Sequence, residues 1–156
     1  MIDASFSEPN NTSVQKGVWR LGSLEAWWLK AQGWEVLNIN DITYKINGAV
    51  YEVYRVLGHG FLEKVYENAL MVELQNRGLT ARRQFSIKVN YKGAEVGDYF
   101  ADILVEGKVI VELKAVECLQ KIHEAQLLNY LKATDYTIGL LVNFYHPKAQ
   151  IKRFIL

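Results

Sequence analysis

Asp102, Glu112 and Lys114 are the side chains in this sequence best placed by type and spacing to do chemistry together. They lie in Tyr99-Phe-Ala-Asp102-Ile-Leu-Val-Glu-Gly107-Lys-Val-Ile-Val-Glu112-Leu-Lys114-Ala115. Two apolar, β-branched runs flank a Glu-Gly turn there, which is the pattern of a β-hairpin. Charged groups in runs destined for burial are usually paired or bound to a metal. Side chains alternate along a strand, so Glu112 and Lys114 share a face. Asp102 joins them only if the hairpin loop holds an odd number of residues. A two-residue loop would pair Val105 with Lys108 and turn Asp102 away. A three-residue loop closed by Gly107 in the left-handed region, a type I turn with a bulge, brings all three together and is the expectation. Two carboxylates are hard oxygen ligands suited to Mg²⁺, with Mn²⁺ as a substitute. Such an ion beside an ammonium suits phosphodiester hydrolysis. The plainer alternative is a cross-strand salt bridge on an exposed sheet face, which is worth little.

Three motifs carry a resemblance. Asp102 followed by Glu112-Leu113-Lys114 resembles the active-site signature of the PD-(D/E)xK nuclease superfamily, with Phe-Ala before the aspartate in place of the usual residues. Gly60-Phe-Leu-Glu63-Lys-Val-Tyr66 is similar to the motif that names the GxxExxY proteins, a family of small nuclease-like proteins in that superfamily. Gln126-Leu-Leu-Asn-Tyr130 resembles the QxxxY motif of the RecB-type branch. The resemblance runs from about Ile42 to the C-terminus and departs from the family pattern at His59 (often Pro) and Tyr54 (often His). It implies a metal-dependent deoxyribonuclease. Asp102 and Glu112 would hold the metal, with a backbone carbonyl of Val111 or Leu113 adding a ligand. Lys114 would serve the water or the developing charge, Glu63 would support a ligand or second ion, and Gln126 and Tyr130 would hold substrate or Lys114. Without the resemblance, Glu63 reads as an exposed carboxylate near a positive helix N-terminus. Gln126 and Tyr130 read as a helix-surface pair four residues apart.

The elements that must position these groups follow from periodicity. Ile42, Ile46, Val50, Val53 and Leu57 recur at steps of three and four, one face of an amphipathic helix. Gly58-His59-Gly60 breaks it, and a second helix is expected from Phe61 to about Arg77, ended by Gly78. Thr80 to Tyr91 alternates, with Phe85, Ile87 and Val89 inward and Arg82 and Lys88 on the polar face. Those two cations could touch substrate phosphates or simply face solvent. Lys92-Gly93 turns the chain into the strand carrying Asp102. A helix from about Leu119 to Thr134 follows, with His123 read as structural. Thr137 to Phe144 is a continuous apolar run, suited to a strand buried on both faces and paired parallel after a crossover. After His146 and Pro147, Gln150 to Leu156 closes as an edge strand. The expected fold is α/β, a mixed β-sheet flanked by helices in two or three layers, with the αβββαβ order of the nuclease-like core.

Residues 1–40 read as an extension ahead of a 41–156 domain. All four tryptophans lie there (Trp19, Trp27, Trp28, Trp34), and a short helix from Ser23 to Ala31 would place Trp27 and Trp28 against a groove or a second copy of the chain. With 156 residues, half of them hydrophobic and 22% charged, the chain has the composition of a soluble globular domain. A net charge of +1 announces no global basic field. One cysteine, Cys118, allows neither an intrachain disulfide nor a cysteine zinc cluster and suits a reducing cytoplasm. No apolar run reaches the roughly 18 residues of a membrane span. The partner expected is DNA. Competing readings are a non-catalytic module that binds nucleic acid or protein on a nuclease fold, and a junction-resolving nuclease, which would need a homodimer.

Overall fold

The computed structural model describes residues 37–145 and 147–156. The Trp19, Trp27, Trp28, Trp34 and His146 expectations lie outside them. Residues 37–156 form one compact unit. It contains helices α1 (Ile39–Leu57) and α2 (Glu63–Asn76), strands β1 (Ala81–Tyr91), β2 (Ala94–Val105) and β3 (Val109–Lys114), helix α3 (Lys121–Lys132), and strands β4 (Ile138–Asn143) and β5 (Gln150–Ile155). The five strands pair in chain order. β3 and β4 are parallel and every other pair is antiparallel. One parallel pair follows from the α3 crossover, because a helix between two strands returns the chain in the same direction.

Strand alternation sorts the core into two layers. Ile103, Val105, Val109, Val111, Leu113, Leu140 and Val142 pack with Ile42, Ile46 and Val50 of α1 and Tyr66, Leu70 and Leu74 of α2. Leu104, Ile110 and Leu141 pack on the other side with Leu127, Tyr130 and Leu131 of α3. The sheet is therefore the middle of three layers, and the mixed α/β architecture expected from the sequence is what the chain forms. Among the described residues no helix is long and apolar enough to cross a membrane.

Helix boundaries differ from the periodicity for local reasons. α1 starts at Ile39 because Asn38 accepts from the backbone N–H groups of Asn40 and Asp41, and Asp41 accepts from Asn38 in return. α2 starts at Glu63 rather than Phe61, since Leu62 is an extended N-cap. α3 starts at Lys121, where His123 Nδ1 accepts from the Gln120 N–H at 3.2 Å. His123 thus has a structural role at the helix start.

Candidate active site

The β2–β3 hairpin sets the site's geometry. Val105 pairs with Val109, which leaves the three-residue loop that the catalytic reading requires. Its conformation differs from the expected turn: Glu106 (φ 53) and Gly107 (φ 59) both lie in the left-handed region. Glu106 is held there from both ends. Its N–H donates to the Thr80 carbonyl at 2.8 Å, and its carboxylate accepts from the Thr80 N–H. Continuing the register one step beyond Ile103 opposite Val111 sets Asp102 across from Glu112.

Asp102 Oδ2 accepts from the Leu113 N–H at 2.7 Å, which ties it to the strand between Glu112 and Lys114. Lys114 Nζ donates to Glu112 Oε1 at 2.7 Å. Glu112 is only 2% exposed, and its Oε2 is buried with no hydrogen-bond partner. Desolvation, followed by the charge of Asp102, pushes the Glu112 carboxyl up to about 7 against the opposing pull of Lys114. Asp102 is also raised, mainly by burial, with Glu67 and Glu63 adding to it and the Leu113 bond and Lys114 opposing. Burial alone would lower the Lys114 ammonium. The hydrogen bond and charge of Glu112, with Glu63 and Asp102, outweigh it and hold the lysine above its ordinary range. The result is a half-buried lysine kept charged amid carboxylates too close to ionise freely.

A break in strand parity brackets Asp102. Ala101 and Leu104 both pack toward α3, whereas Ile103 and Val105 pack toward α1 and α2. Strict alternation would put Ala101 and Ile103 on one side. Across the ladder, Gln84 lies between the pairs Arg83–Ile103 and Phe85–Ala101 and has φ 49. Its amide donates to Glu67 Oε2 at 2.9 Å. No glycine marks this irregularity, so alternation alone could not reveal it.

Glu63 opens α2, and its Oε1 accepts from the Ala115 N–H at 3.3 Å, one residue past Lys114. Tyr66 aims it. The Tyr66 ring stacks on Phe144 with centroids 4.4 Å apart, its hydroxyl donates to the Gly58 carbonyl, and it accepts from the Phe61 N–H. The tyrosine of the GxxExxY-like stretch is thus a buried clamp on the loop that leads into Glu63. Two contributors escaped the sequence reading. Glu67 is 3% exposed, paired to Lys64, and its charge reaches Asp102. Asn143 is buried at the end of β4 and grips Val116 through both its N–H and its carbonyl, fixing the chain just after β3. A single amide ending an otherwise apolar strand was its only signal.

Gln126 Nε2 donates to the Tyr130 hydroxyl at 2.7 Å on α3. Tyr130 lies close enough to Glu112, Lys114 and Asp102 for their charges to act on its phenol, whose pKa is raised chiefly by burial. Gln126 therefore reaches the cluster through Tyr130 rather than by a bond to Lys114. Lys88 pairs with Glu95 at 2.7 Å and borders the same groove as Gln126 and Tyr130. Arg82 lies over the Phe85 ring at 5.3 Å and does not line that groove.

Among the described residues no group of three or more His, Cys, Asp or Glu side chains is placed to hold a metal ion, so the expected set of Asp102, Glu112 and Glu63 does not converge as three ligands. The donors present nevertheless fit a hard divalent ion. Glu112 Oε2 is an unsatisfied buried oxygen beside a second carboxylate, and Mg²⁺ takes one or two carboxylates while keeping most of its waters. No curated protein and no solved structure matches the chain. A family model described as the PD-(D/E)XK nuclease superfamily matches residues 40–154, a span holding the hairpin and every candidate residue from Glu63 to Tyr130. The chain belongs to the PD-(D/E)XK nuclease superfamily.

Proposed function

We propose that this protein is a Mg²⁺-dependent nuclease that hydrolyses phosphodiester bonds in DNA, with Asp102 and Glu112 as the metal-holding residues. The observation that carries the reading is the unpartnered, buried Oε2 of Glu112, a carboxylate that feels the charge of Asp102 and whose Oε1 is ion-paired with Lys114. Orphaned polar atoms in a buried site call for a missing partner, and a divalent ion supplies one while polarising the scissile phosphate and favouring ionisation of the attacking water. Mn²⁺ would serve in its place.

Lys114 is the group this chain contributes to the transition state. It is held charged beside the carboxylates, so it can stabilise negative charge developing on the phosphoryl oxygens or orient the water that attacks phosphorus as the P–O bond to the leaving sugar oxygen breaks. Glu63 positions the strand end through Ala115 and adds negative charge for a second ion. Tyr130, oriented by Gln126, borders the cluster where substrate enters. A second reading, a non-catalytic nucleic-acid-binding module, draws on the near-complete burial of Glu112 and on the ion pair already occupying its Oε1.

A Mg²⁺ titration of cleavage with wild type and Lys114→Ala, purified identically, separates the two. Lys114→Ala should lose on the order of 10²-fold or more in turnover, the scale of one preorganised transition-state donor, while still taking up the ion. Asp102→Ala and Glu112→Ala should abolish both. Equal residual cleavage by wild type and Lys114→Ala would assign the activity to a contaminant and favour the binding module.

A further inference from the structure

Beside the carboxylate cluster, a groove of about 860 Å³ runs between the β1–β2 ribbon and α3. Its walls are Lys88, Val89 and Tyr99 from the ribbon and Ile122, Asn129 and Lys132 from the helix, with Gln126 and Tyr130 as the end shared with the cluster. We propose that this groove is a binding track for single-stranded DNA, in which Tyr99 stacks on a base and so sets the strandedness of the substrate. The ligand class rests on the DNA-nuclease reading above.

Four features point to one strand with its bases turned inward. Tyr99 is half exposed, with its ring 6.1 Å from that of Tyr130 and inclined to it by 47°, so a flat surface is left open at the mouth of the site. The ring is preset: a Cβ at Gly97 would stand 3.2 Å from Tyr99 Cε2 and 3.6 Å from Val89 Cβ. The absence of a side chain at Gly97 is what lets the ring lie back along the strand. The groove also carries the amides of Asn90, Gln126 and Asn129, which can meet base edges, and the cations Lys88 and Lys132, which can meet phosphates. Lys88 is paired with exposed Glu95, a surface contact that costs little to exchange. Finally, the volume is that of a small-ligand pocket. It suits a few unstacked nucleotides, whereas a duplex keeps its bases stacked on each other and out of reach of Tyr99.

The test is binding, measured by fluorescence anisotropy in EDTA and again in Ca²⁺, so that it does not depend on cleavage. The probes are a labelled thymidine 12-mer, the same strand with an abasic run, and a duplex of equal length. Wild type should bind the thymidine strand about 10-fold tighter than the abasic strand, the scale of one lost base–aromatic stack, and tighter than the duplex. Tyr99→Ala should reduce the thymidine strand to the abasic level, and Tyr99→Phe should restore it. Ile122→Glu, at an exposed position on the helical wall, should weaken both single strands by charge repulsion, with its fold checked by thermal unfolding. Equal affinity of wild type and Tyr99→Ala for the thymidine strand, or duplex binding as tight as single-strand binding, would overturn the assignment. Neither result bears on whether Lys114 supports hydrolysis, so the nuclease reading would stand or fall separately.

Discussion

Glu112 carries a conflict that the rest of the site is arranged to exploit. Burial and Asp102 disfavour its ionised form, while Lys114 favours it, and the net effect is a carboxyl raised to about 7. An ordinary glutamate ionises near 4.5, so the fold prefers the protonated side chain. In metal-free protein this preference stabilises the native state fully below about pH 4.5 and is lost as pH rises through about 7. Asp102, also raised, adds in the same direction, with Glu63, Glu67 and Lys114 as the charges around the pair. In EDTA, stability should therefore fall by on the order of 3 kcal/mol between pH 4.5 and 8, as read from urea midpoints. Glu112→Gln should flatten that slope, and Mg²⁺ should restore wild-type stability at pH 8 without affecting the variant. A wild-type slope unchanged by Glu112→Gln would place the conflict elsewhere. At a second position, Tyr66→Phe removes the hydroxyl that bridges Gly58 and Phe61. It should cost about 1–2 kcal/mol and weaken metal uptake only through Glu63, leaving metal binding measurable by calorimetry.

Gly139 shows how closely the elements must approach for the site to exist. It lies on β4 opposite Ile110 of β3, and a Cβ there would stand 2.8 Å from Leu127 Cδ1. The bare backbone lets α3 settle on the sheet with Tyr130, held by Gln126, near Lys114. Gly139→Ala should destabilise the fold by about 1–3 kcal/mol through overpacking and lower turnover more than it lowers metal affinity, because the carboxylates sit on β2 and β3 and not on α3. The strands and helices themselves were legible because their apolar periods were strong: α1 by its steps of three and four, β4 by its continuous apolar run. The odd hairpin loop was legible from Gly107 together with the need to align Asp102 with Glu112. What periodicity could not carry was local and polar. Glu106 adopts a left-handed conformation because Thr80 holds it, Gln84 breaks strand parity without a glycine, and Asn143 ties β4 to the chain after β3. Each depends on a partner distant in sequence, and no single window contains both halves.

At the scale of the whole molecule, the near-neutral charge of the chain conceals a segregation. Asp102, Glu112, Glu63 and Glu67 gather at one end of the sheet, while Lys88 and Lys132 border the adjoining groove. A divalent ion at the carboxylates would offset most of that negative charge and so lessen the repulsion of a polyanion. The compact unit begins at Leu37, and the cap of α1 lies ahead of the 41–156 domain read from the sequence. Starting the chain at Asp41 would remove the Asn38 capping box and Ile39, which packs against the core. It would also remove the Leu37 carbonyl that accepts from Lys108 Nζ and the Asn40 side chain that accepts from Arg153. A chain starting at Leu37 should therefore exceed one starting at Asp41 by about 1–2 kcal/mol, measured as a shift in urea midpoint at unchanged m. Equal midpoints would show that the cap contributes nothing and that the domain starts at Asp41. The same Leu37 chain, compared with the full chain by sedimentation, tests the expectation for the tryptophan-rich segment. A full chain that self-associates where the Leu37 chain stays monomeric would assign an interface to residues 1–36, and identical sedimentation per chain would remove that role.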